Sequence, residues 1–369
     1  MKTPGHPSIA LVGPVLPFRG GVAQYTTSLH EALHALPDTT VQTVSFKRQY
    51  PQWLYPGKTD KDDTAEQQPD VDYLIDAYNP LTWRKAANRI AKNGCDVAVL
   101  DWWTLFWQPG FAYIARRLHK KGVKTVFLCH NLFDHDATGL KRKISQTLLL
   151  QADAYIVQSS EQQAMLRELK PGADVVLKTH PIYDRFPVAA NPLPKRGKLE
   201  LLFFGFIRPY KGLPVLIEAL KELNDHDIYL TVVGEPWGDA EALQKELAES
   251  GVPNLEVHLE YVDDAEAANY FARADVVVLP YLSATGSGVV AMAYNYGKPV
   301  LATSVGGLKD VVMEGQTGWL VPAQDATALQ RAIAELSRES CRAMEPAIAA
   351  FCQDNSWQRL AETIRQLAD

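Results

Sequence analysis

The stretch LLFFGFIRPYKGLPVLIEAL, residues 201–220, indicates the architecture of the protein, because its pattern predicts a strand, a turn and the start of a helix. Its first residues form a continuous apolar run, which is typical of a strand buried on both faces of a parallel sheet. A short polar turn with Arg208 and Lys211 follows, and the next apolar residues recur with helical spacing. Two cations at a helix start are unfavourable by roughly a few tenths of a kcal/mol unless an anion joins them. We therefore predict an α/β protein with an anion site, and phosphate is the natural ligand.

Strand-like runs alternate with helix-spaced segments along the whole chain, as in parallel sheets covered by helices on both faces. The predicted strands lie at residues 8–14, 41–46, 96–103, 124–131, 154–160 and 174–180, and then at 200–206, 228–235, 255–262, 274–281, 299–305 and 318–322. This pattern predicts two doubly wound, Rossmann-like domains. We expect them to face each other across a cleft, because ligands of open α/β sheets bind at the carboxyl ends of the strands.

The domain boundaries follow from length and composition. A chain of 369 residues is too long for one comfortable core, and a segment rich in proline and small residues separates its halves. We predict an N-terminal Rossmann-like domain over residues 1–187, a linker over 188–198 and a C-terminal Rossmann-like domain over 199–345. Residues 346–369 are expected to form C-terminal helices, and the sequence leaves open which domain the last one packs on.

Charge is distributed unevenly along the chain. Residues 1–190 carry 22 Lys and Arg against 18 Asp and Glu, and the remaining residues carry 15 against 25. An acidic total without a basic stripe argues against nucleic acid, whereas a basic N-terminal half suits an anionic lipid surface. No apolar run reaches membrane-spanning length, and the first residues lack a signal-peptide pattern. We expect a cytoplasmic protein that makes peripheral contact with the inner face of the cell membrane.

Small residues occupy two further loops that precede predicted helices. Gly20 and Gly21 either let the backbone approach a ligand or simply form a tight turn. Gly286, Ser287 and Gly288 lead into a short helix whose N–H groups and serine hydroxyl would form a second anion cradle. Close packing of helix on strand is the alternative reading of these residues. Neither loop is a dinucleotide G-x-G-x-x-G fingerprint, and two cradles in one domain suit a diphosphate.

His130 ends the strand-like run KTVFLCHN, at the edge where a ligand is expected. A histidine at a strand end either serves a site or only hydrogen-bonds to the backbone. The segment HNLFDHD (130–136) also raises a metal reading through Asp134, His135 and Asp136. Ligands spaced in this way in a loop lack the rigid placement of a metal site, so we predict no metal.

An aromatic run, DWWTLFWQPGFAY (101–113), follows an N-terminal strand. Trp102, Trp103, Phe106 and Trp107 are numerous for a loop, and core packing accounts for most of them. The remainder could form an acceptor platform or a membrane-facing patch, because aromatic residues flanked by Lys and Arg suit an interface.

Taken in order, these segments resemble the retaining GT-B glycosyltransferases of the family-four type, also called glycosyl transferases group 1. The matching stretches are GGVAQYTTSLHEAL, the strand ending in His130, FFGFIRPYKGLPVLIEAL, TVVGEPW, LEYVDDAEAANYFARADVVVLPY and GKPVLATSVGGLKDVVMEGQTGWLVPAQD. The resemblance implies a GT-B fold, a nucleotide-sugar donor linked to UDP or GDP, and no separate cofactor.

The resemblance also implies roles for individual residues. Arg208 and Lys211 would grip the donor diphosphate, and His130 would face the donor sugar from the N-terminal domain. Gly20 and Gly21 would lie over the phosphates or the acceptor.

The remaining implied contacts involve the C-terminal domain alone. The backbone near Tyr261 and Val262 would meet the nucleotide base. Ser287, Gly288 and Val289, with Gly286 before them, would bind the donor through backbone groups.

One departure from the family pattern stands out. The two glutamates that usually precede GKPV are replaced by Ala284 and Met292, and the acidic residue after the paired glycines is Asp310 rather than Glu. A lost charged hydrogen bond is worth roughly 1.5–3 kcal/mol, so donor binding would weaken by one or two decades unless other groups substitute.

The resulting hypothesis is a retaining, metal-independent glycosyltransferase acting on a glycan or lipid-linked acceptor in surface polysaccharide or glycoconjugate synthesis. A catalytically weak GT-B scaffold subunit is the alternative that the missing glutamates favour. A nucleotide-sugar epimerase is a further alternative, but it needs a pair of acid/base carboxylates that the sequence does not offer.

Overall fold

The structure is a computed structural model that describes residues 6–51, 60–61, 65–133, 139–182, 186–284 and 286–368. The chain divides into two compact units. Unit 1 comprises the chain up to Lys178 together with the residues from Trp357 onward, and unit 2 comprises Thr179–Ser356. The last helix, which the sequence left open between the two domains, therefore belongs to unit 1.

Unit 1 contains a parallel sheet of seven strands in the order β3-β2-β1-β4-β5-β6-β7. Its strands and helices are β1 (Ser8–Val12), α1 (Gly21–His34), β2 (Thr40–Arg48), β3 (Val71–Asp76), α2 (Leu81–Lys92), β4 (Val97–Trp102), α3 (Gln108–His119), β5 (Lys124–Cys129), α4 (Gly139–Leu149), β6 (Ala154–Val157), α5 (Ser160–Leu169), β7 (Asp174–Leu177) and, from the chain end, α14 (Trp357–Gln366). Every residue of the central strand β4 is buried, because helices cover both faces of the sheet.

Unit 2 contains a second parallel sheet, of six strands in the order β10-β9-β8-β11-β12-β13. Its elements are β8 (Leu199–Phe204), a 3₁₀ turn (Pro209–Lys211), α6 (Leu213–Leu223), β9 (Ile228–Val233), α7 (Ala240–Ala248), β10 (Leu255–His258), α8 (Asp264–Arg273), β11 (Val276–Leu279), α9 (Gly288–Asn295), β12 (Val300–Thr303), α10 (Leu308–Val311), β13 (Gly318–Val321), α11 (Ala326–Glu335), α12 (Arg338–Ala343) and α13 (Glu345–Asp354). The predicted fold class of two doubly wound, Rossmann-like parallel sheets is confirmed.

Sequence reasoning missed one strand, β3 (Val71–Asp76). Its sequence VDYLID mixes acidic and apolar residues, and its first four residues are only half-buried. The strand lies at the edge of the sheet, and among the described strands it pairs with β2 alone, through an irregular register. An edge strand needs no continuous apolar run, so its pattern resembled a loop.

Helix α14 closes one face of unit 1 against α1. Its residues Leu360, Ala361 and Ile364 are fully buried or nearly so, and the Trp357 ring meets the Tyr25 ring of α1 edge-on at 4.7 Å between centroids. The end of the chain thus supplies part of the hydrophobic core of the unit in which the chain begins.

The buried carboxylate of Asp275 connects the linker segment to the core of unit 2. It accepts hydrogen bonds from the Glu200 backbone N–H at 2.9 Å and from Arg338 Nε at 3.2 Å, and it pairs with Lys195. Arg338 also donates to the Gly197 carbonyl at 2.7 Å. These contacts hold the start of β8, which leads to the polar turn.

We expect Asp275→Ala to destabilise unit 2 by about 3 kcal/mol, because it leaves two cations without their shared acceptor. Glu249→Ala is the matched control, since Glu249 forms only an exposed pair with Lys245 and such pairs contribute little. Urea unfolding followed by circular dichroism measures both. Equal midpoints for the two variants would contradict this assignment.

Candidate functional site

Lys211 is a buried lysine in the turn between β8 and α6. Its residue surface is 7% exposed, its Nζ lies 3.5 Å from the Phe204 carbonyl oxygen, and it lies over the Tyr281 ring at 5.6 Å. Among the described residues, no carboxylate forms an ion pair with it. Burial, reinforced by the charge of Arg208, lowers the pKa of Lys211 to about 8. A buried ammonium group without an anionic partner is an anion-binding feature.

Glycine at position 205 makes room for this ammonium group. Gly205 has a φ of +95°, and a Cβ placed there would lie 2.8 Å from Lys211 Nζ and 3.4 Å from Val289 Cγ2. Lys211 and the first turn of α9 therefore border the same point of the backbone. The two anion cradles that the sequence predicted in separate loops are brought together at the carboxyl edge of the sheet of unit 2.

The start of α9 is open. The Ser287 hydroxyl accepts from the Val289 N–H at 3.3 Å and lies 3.4 Å from the Tyr281 hydroxyl. A Cβ placed at Gly286 or at Gly288 would meet no described atom within 4 Å. The small residues are therefore not required here for close packing of helix on strand, and they leave space for a ligand.

Arg208 points away from Lys211, toward the loop after β9. Its guanidinium carbon lies 4.0 Å from the centroid of the Trp237 ring, and its buried Nε has no hydrogen-bond partner among the described residues. Arg208 and Trp237 border a cavity of about 520 Å³ between α6 and α7. Lys211 is not among the residues that line this cavity. The two cations thus act on each other through their charges but occupy different surroundings.

The residues expected near a nucleotide base lie in the loop between β10 and α8. Tyr261 is 70% exposed, whereas Val262 is buried in the same hydrophobic cluster as Tyr281 and Val289. Val262 therefore anchors this loop on the hydrophobic core of unit 2, and Tyr261 is presented to solvent.

In unit 1, His130 directly follows β5 and is held from both ring nitrogens. Its Nε2 lies 3.1 Å from Asp101 Oδ1, its Nδ1 lies 3.4 Å from the Gln158 amide nitrogen, and the Tyr25 ring meets it edge-on at 4.7 Å. The carboxylate accepts from Nε2–H, which leaves Nδ1 to accept from the amide. The His130 side chain is 11% exposed.

Asp101 is the residue that sequence reasoning missed. It is fully buried at the end of β4, and its Oδ2 accepts from the Thr26 hydroxyl at 2.6 Å. A Cβ at Gly13 would lie 1.8 Å from this oxygen, so glycine is needed at the end of β1. The sequence signal for Asp101 is an acidic residue near the end of an apolar strand. It went unnoticed because it also begins the aromatic run 101–113.

The aromatic run itself lies in the core. Trp102 and Trp107 are buried, and their indole N–H groups donate to the carbonyls of Leu132 and Gln49. Trp103 and Phe106 are partly buried against the same hydrophobic cluster. This run therefore presents no large exposed ring between residues 101 and 107, and the core reading holds for these four residues.

The paired glycines have no neighbouring side chain against them in the part of the chain that the structure describes. Gly20 has a φ of +106° and precedes α1, and neither a Cβ at Gly20 nor one at Gly21 would meet a described atom within 4 Å. A side chain at Gly20 would be strained by the backbone alone. Asp134, His135 and Asp136, which suggested a metal, lie outside the described residues.

The two positions where the family usually has glutamates have packing roles in this chain. Ala284 and Met292 lie against the hydrophobic cluster of unit 2. The Ala284 carbonyl accepts from the Gly307 N–H at 3.3 Å, and a Cβ at Gly306 would lie 1.6 Å from the same oxygen. Asp310 lies in the short helix α10 that follows these glycines.

Two family models match the chain in succession: "Glycosyltransferase Family 4" over residues 19–177 and "Glycosyl transferases group 1" over residues 198–339. A D-inositol 3-phosphate glycosyltransferase of Streptomyces scabiei is 31% identical over 60% of this chain and 54% of its own length. A GDP-mannose:glycolipid 4-beta-D-mannosyltransferase of Xanthomonas campestris is 28% identical over 59% of this chain and 60% of its own. The chain thus spans little more than half the length of these relatives.

Solved structures match nearly the whole chain. Sucrose-phosphate synthase of Thermosynechococcus elongatus has a TM-score of 0.69 at 22% identity and covers 98% of both chains. HepE of Anabaena in complex with UDP has a TM-score of 0.67 at 16% identity, over 98% of this chain and 99% of its own. At such identities the likeness establishes the fold, which is that of GT-B glycosyltransferases.

The lowered pKa of Lys211 predicts how anion binding depends on pH. Below about pH 7 the ammonium form predominates, and as pH rises through about 8 the free protein loses the charge that attracts the anion. We expect the Kd of a nucleoside diphosphate to rise by up to about tenfold per pH unit above pH 8. Isothermal titration calorimetry between pH 6.5 and 9.5 measures this change.

Lys211→Arg is the control for this prediction, because a guanidinium group stays charged throughout that range. The variant should show a flat profile over the same pH interval. A wild-type protein whose affinity does not change above pH 8 would show that Lys211 does not face the bound anion.

Proposed function

We propose that this chain, which belongs to the family 4 and group 1 glycosyltransferases, transfers a sugar from a nucleotide-sugar donor to a glycan or lipid-linked acceptor. The observation that carries the proposal is the buried Lys211 ammonium group beside the open start of α9. A diphosphate supplies the anion that both features require.

The proposed donor site does its chemistry by charge. As the bond between sugar and phosphate breaks, negative charge grows on the diphosphate leaving group. Lys211 and the N–H groups at the start of α9 are fixed before the reaction, so they stabilise this charge without reorganising. Arg208 adds positive potential from the Trp237 side. These groups, rather than a metal ion, are proposed to offset the charge, and EDTA should leave the rate unchanged.

The remaining donor contacts are proposed to come from the backbone. Ser287, Gly288 and Val289, after Gly286, would take over the binding that the family glutamates usually provide, because Ala284 and Met292 cannot hydrogen-bond through their side chains. Tyr261 and Val262 would meet the base. Gly20 and Gly21 would leave room for the phosphates or the acceptor.

His130 is proposed as the residue of unit 1 that contacts the donor sugar, with Asp101 holding its ring. The acceptor attacks on the face that the diphosphate leaves, and the departing phosphate oxygen takes the acceptor proton. Configuration at the anomeric carbon is then retained. Nuclear magnetic resonance of the product measures this configuration directly, and an inverted product would contradict the proposal.

Two similar proteins indicate UDP and GDP as the nucleotides to test in the donor. HepE was solved with UDP, and the Xanthomonas campestris relative is named for GDP-mannose. A thermal-shift screen of UDP, GDP and their sugars should single out one base, because a ligand that binds only the native state raises Tm.

A catalytically weak scaffold is the second candidate, and the packing roles of Ala284 and Met292 favour it. Such a protein would bind no donor productively. Absence of turnover with every nucleotide sugar and with lipid extracts as acceptor would support this reading. We set the epimerase aside, since an epimerase needs a pair of acid/base carboxylates and no such pair was found in the sequence.

Removing the cations of the proposed donor site should slow transfer strongly. We expect Lys211→Ala combined with Arg208→Ala to lower kcat/KM at least about 100-fold and to weaken nucleotide binding, because the diphosphate loses the positive charges that stabilise it in the bound state and in the transition state. Lys245→Ala is the matched control, since this lysine forms only an exposed pair with Glu249. Unchanged transfer and unchanged nucleotide affinity in the double variant would end the proposal.

The His130 and Asp101 pair should show separable effects. His130→Ala is expected to lower kcat by about 100-fold or more with little change in nucleotide affinity, because nucleotide binding is assigned to unit 2. Asp101→Asn keeps the shape but favours the other histidine tautomer, so it should lower kcat. Wild-type kinetics in both variants would remove His130 from the reaction.

A further inference from the structure

Three neighbouring helices of unit 1 form a layer without acidic residues. Helices α2, α3 and α4 pack side by side, with α3 in contact with both others. Their sequences contain nine Lys and Arg, four on α2, two on α3 and three on α4, and no Asp or Glu. We call this set of three helices the cationic layer. The sequence did not reveal this basic stripe, because other segments separate the three helices along the chain.

Few carboxylates balance this charge. Among the nine cations, Arg89 is the one with a carboxylate partner in the described residues, at 3.2 Å from Asp72. Arg117 donates to the side chain of Asn88, and Arg116 donates to that of Gln151. Amide oxygens satisfy hydrogen bonds without neutralising charge, so the layer keeps a net positive potential.

Helix α4 adds exposed aliphatic side chains to this charge. Leu140 is 73% exposed and Ile144 is 44% exposed, and they are four residues apart, so they lie on the same face of the helix. Lys141, Arg142 and Lys143 stand between them and are also exposed. Large aliphatic side chains in water, flanked by cations, are typical of a helix that lies on a membrane surface.

Helix α2 provides a basic groove in the same layer. A cavity of about 570 Å³ is bordered by Arg84, Lys85, Arg89 and Lys92 of α2, with Asp72 as its acidic residue. Leu81, which is 74% exposed, stands at its rim. The size and charge of this groove suit an anionic phospholipid headgroup.

We propose that the cationic layer docks on an anionic lipid bilayer, with Leu140 and Ile144 in the headgroup region and the groove of α2 occupied by lipid phosphate. Nucleic acid would match the cations but would leave the aliphatic pair in water, so a bilayer is the better partner. Among the described residues no helix is long and apolar enough to cross a membrane, and docking on the surface requires none. The inference concerns attachment and does not rest on the proposed sugar transfer.

The test is flotation of the full chain with two kinds of vesicle. The protein should float with vesicles that contain phosphatidylglycerol and remain at the bottom with pure phosphatidylcholine, and added salt should release it. Lys141→Gln, Arg142→Gln and Lys143→Gln combined should lower the bound fraction about tenfold or more. Leu140→Ser with Ile144→Ser should lower it through lost apolar contact.

Matched controls change unit 2 instead. The combination Lys245→Gln, Lys309→Gln and Arg331→Gln removes three exposed cations, and Val188→Ser removes an aliphatic side chain that is 89% exposed. Both controls should bind vesicles as the wild type does. Thermal unfolding without ligand verifies the fold of every variant, and a separate thermal shift with UDP or GDP reports on the donor proposal.

Three results would overturn the inference. The first is equal binding to neutral and anionic vesicles, and the second is binding that the α4 variants do not reduce. The third is tighter binding to a DNA duplex than to phosphatidylglycerol vesicles at the same salt concentration, lost in the same variants, because it would assign the layer to nucleic acid.

Discussion

The arrangement of unit 2 depends on burying one ammonium group, that of Lys211, which pairs with none of the carboxylates that the structure describes. Lys211 can occupy this position because glycines surround the turn that carries it. Gly212 has a φ of +68°, and a Cβ there would lie 1.9 Å from the Pro280 carbonyl oxygen. The Leu282 N–H donates to the Tyr210 carbonyl at 2.7 Å, so the turn after β8 and the loop after β11 are fixed to each other. Burial lowers the pKa of the lysine, and a bound anion would restore the charge that burial disfavours.

Unit 1 also buries a charged group, but this group is a carboxylate and it has hydrogen-bond partners. Asp101 is a fully buried carboxylate, and it is tolerated because Thr26 and His130 both bond to it. The histidine is in turn packed against Tyr25, whose ring meets Trp357 of α14. Helix α14 therefore supports the position of His130 through the Tyr25 ring.

The two functions proposed for this chain, sugar transfer and attachment to a bilayer, use charges in different surroundings. Single buried charges at the carboxyl edges of the sheets suit chemistry, because isolation from water strengthens their interactions with a substrate. The many exposed cations of the cationic layer suit attachment, because each contributes a little and salt can reverse it. The rest of the chain is acidic, so the net charge is −6 although the three helices of the cationic layer carry no Asp or Glu.

The sequence by itself determined the fold class, twelve of the strands, and the loops that carry the candidate site, because apolar runs and helical spacing are local properties of the chain. It also placed His130 at the end of a strand, and Lys211 and the paired glycines in loops that lead from a strand to a helix. It missed β3, whose edge position removes the need for a continuous apolar run. Three features are visible in the folded chain alone: Arg208 contacts Trp237, Asp101 holds His130, and three separate helices form one cationic layer. Each of these depends on side chains from distant segments meeting in space, and no pattern along the chain records such meetings.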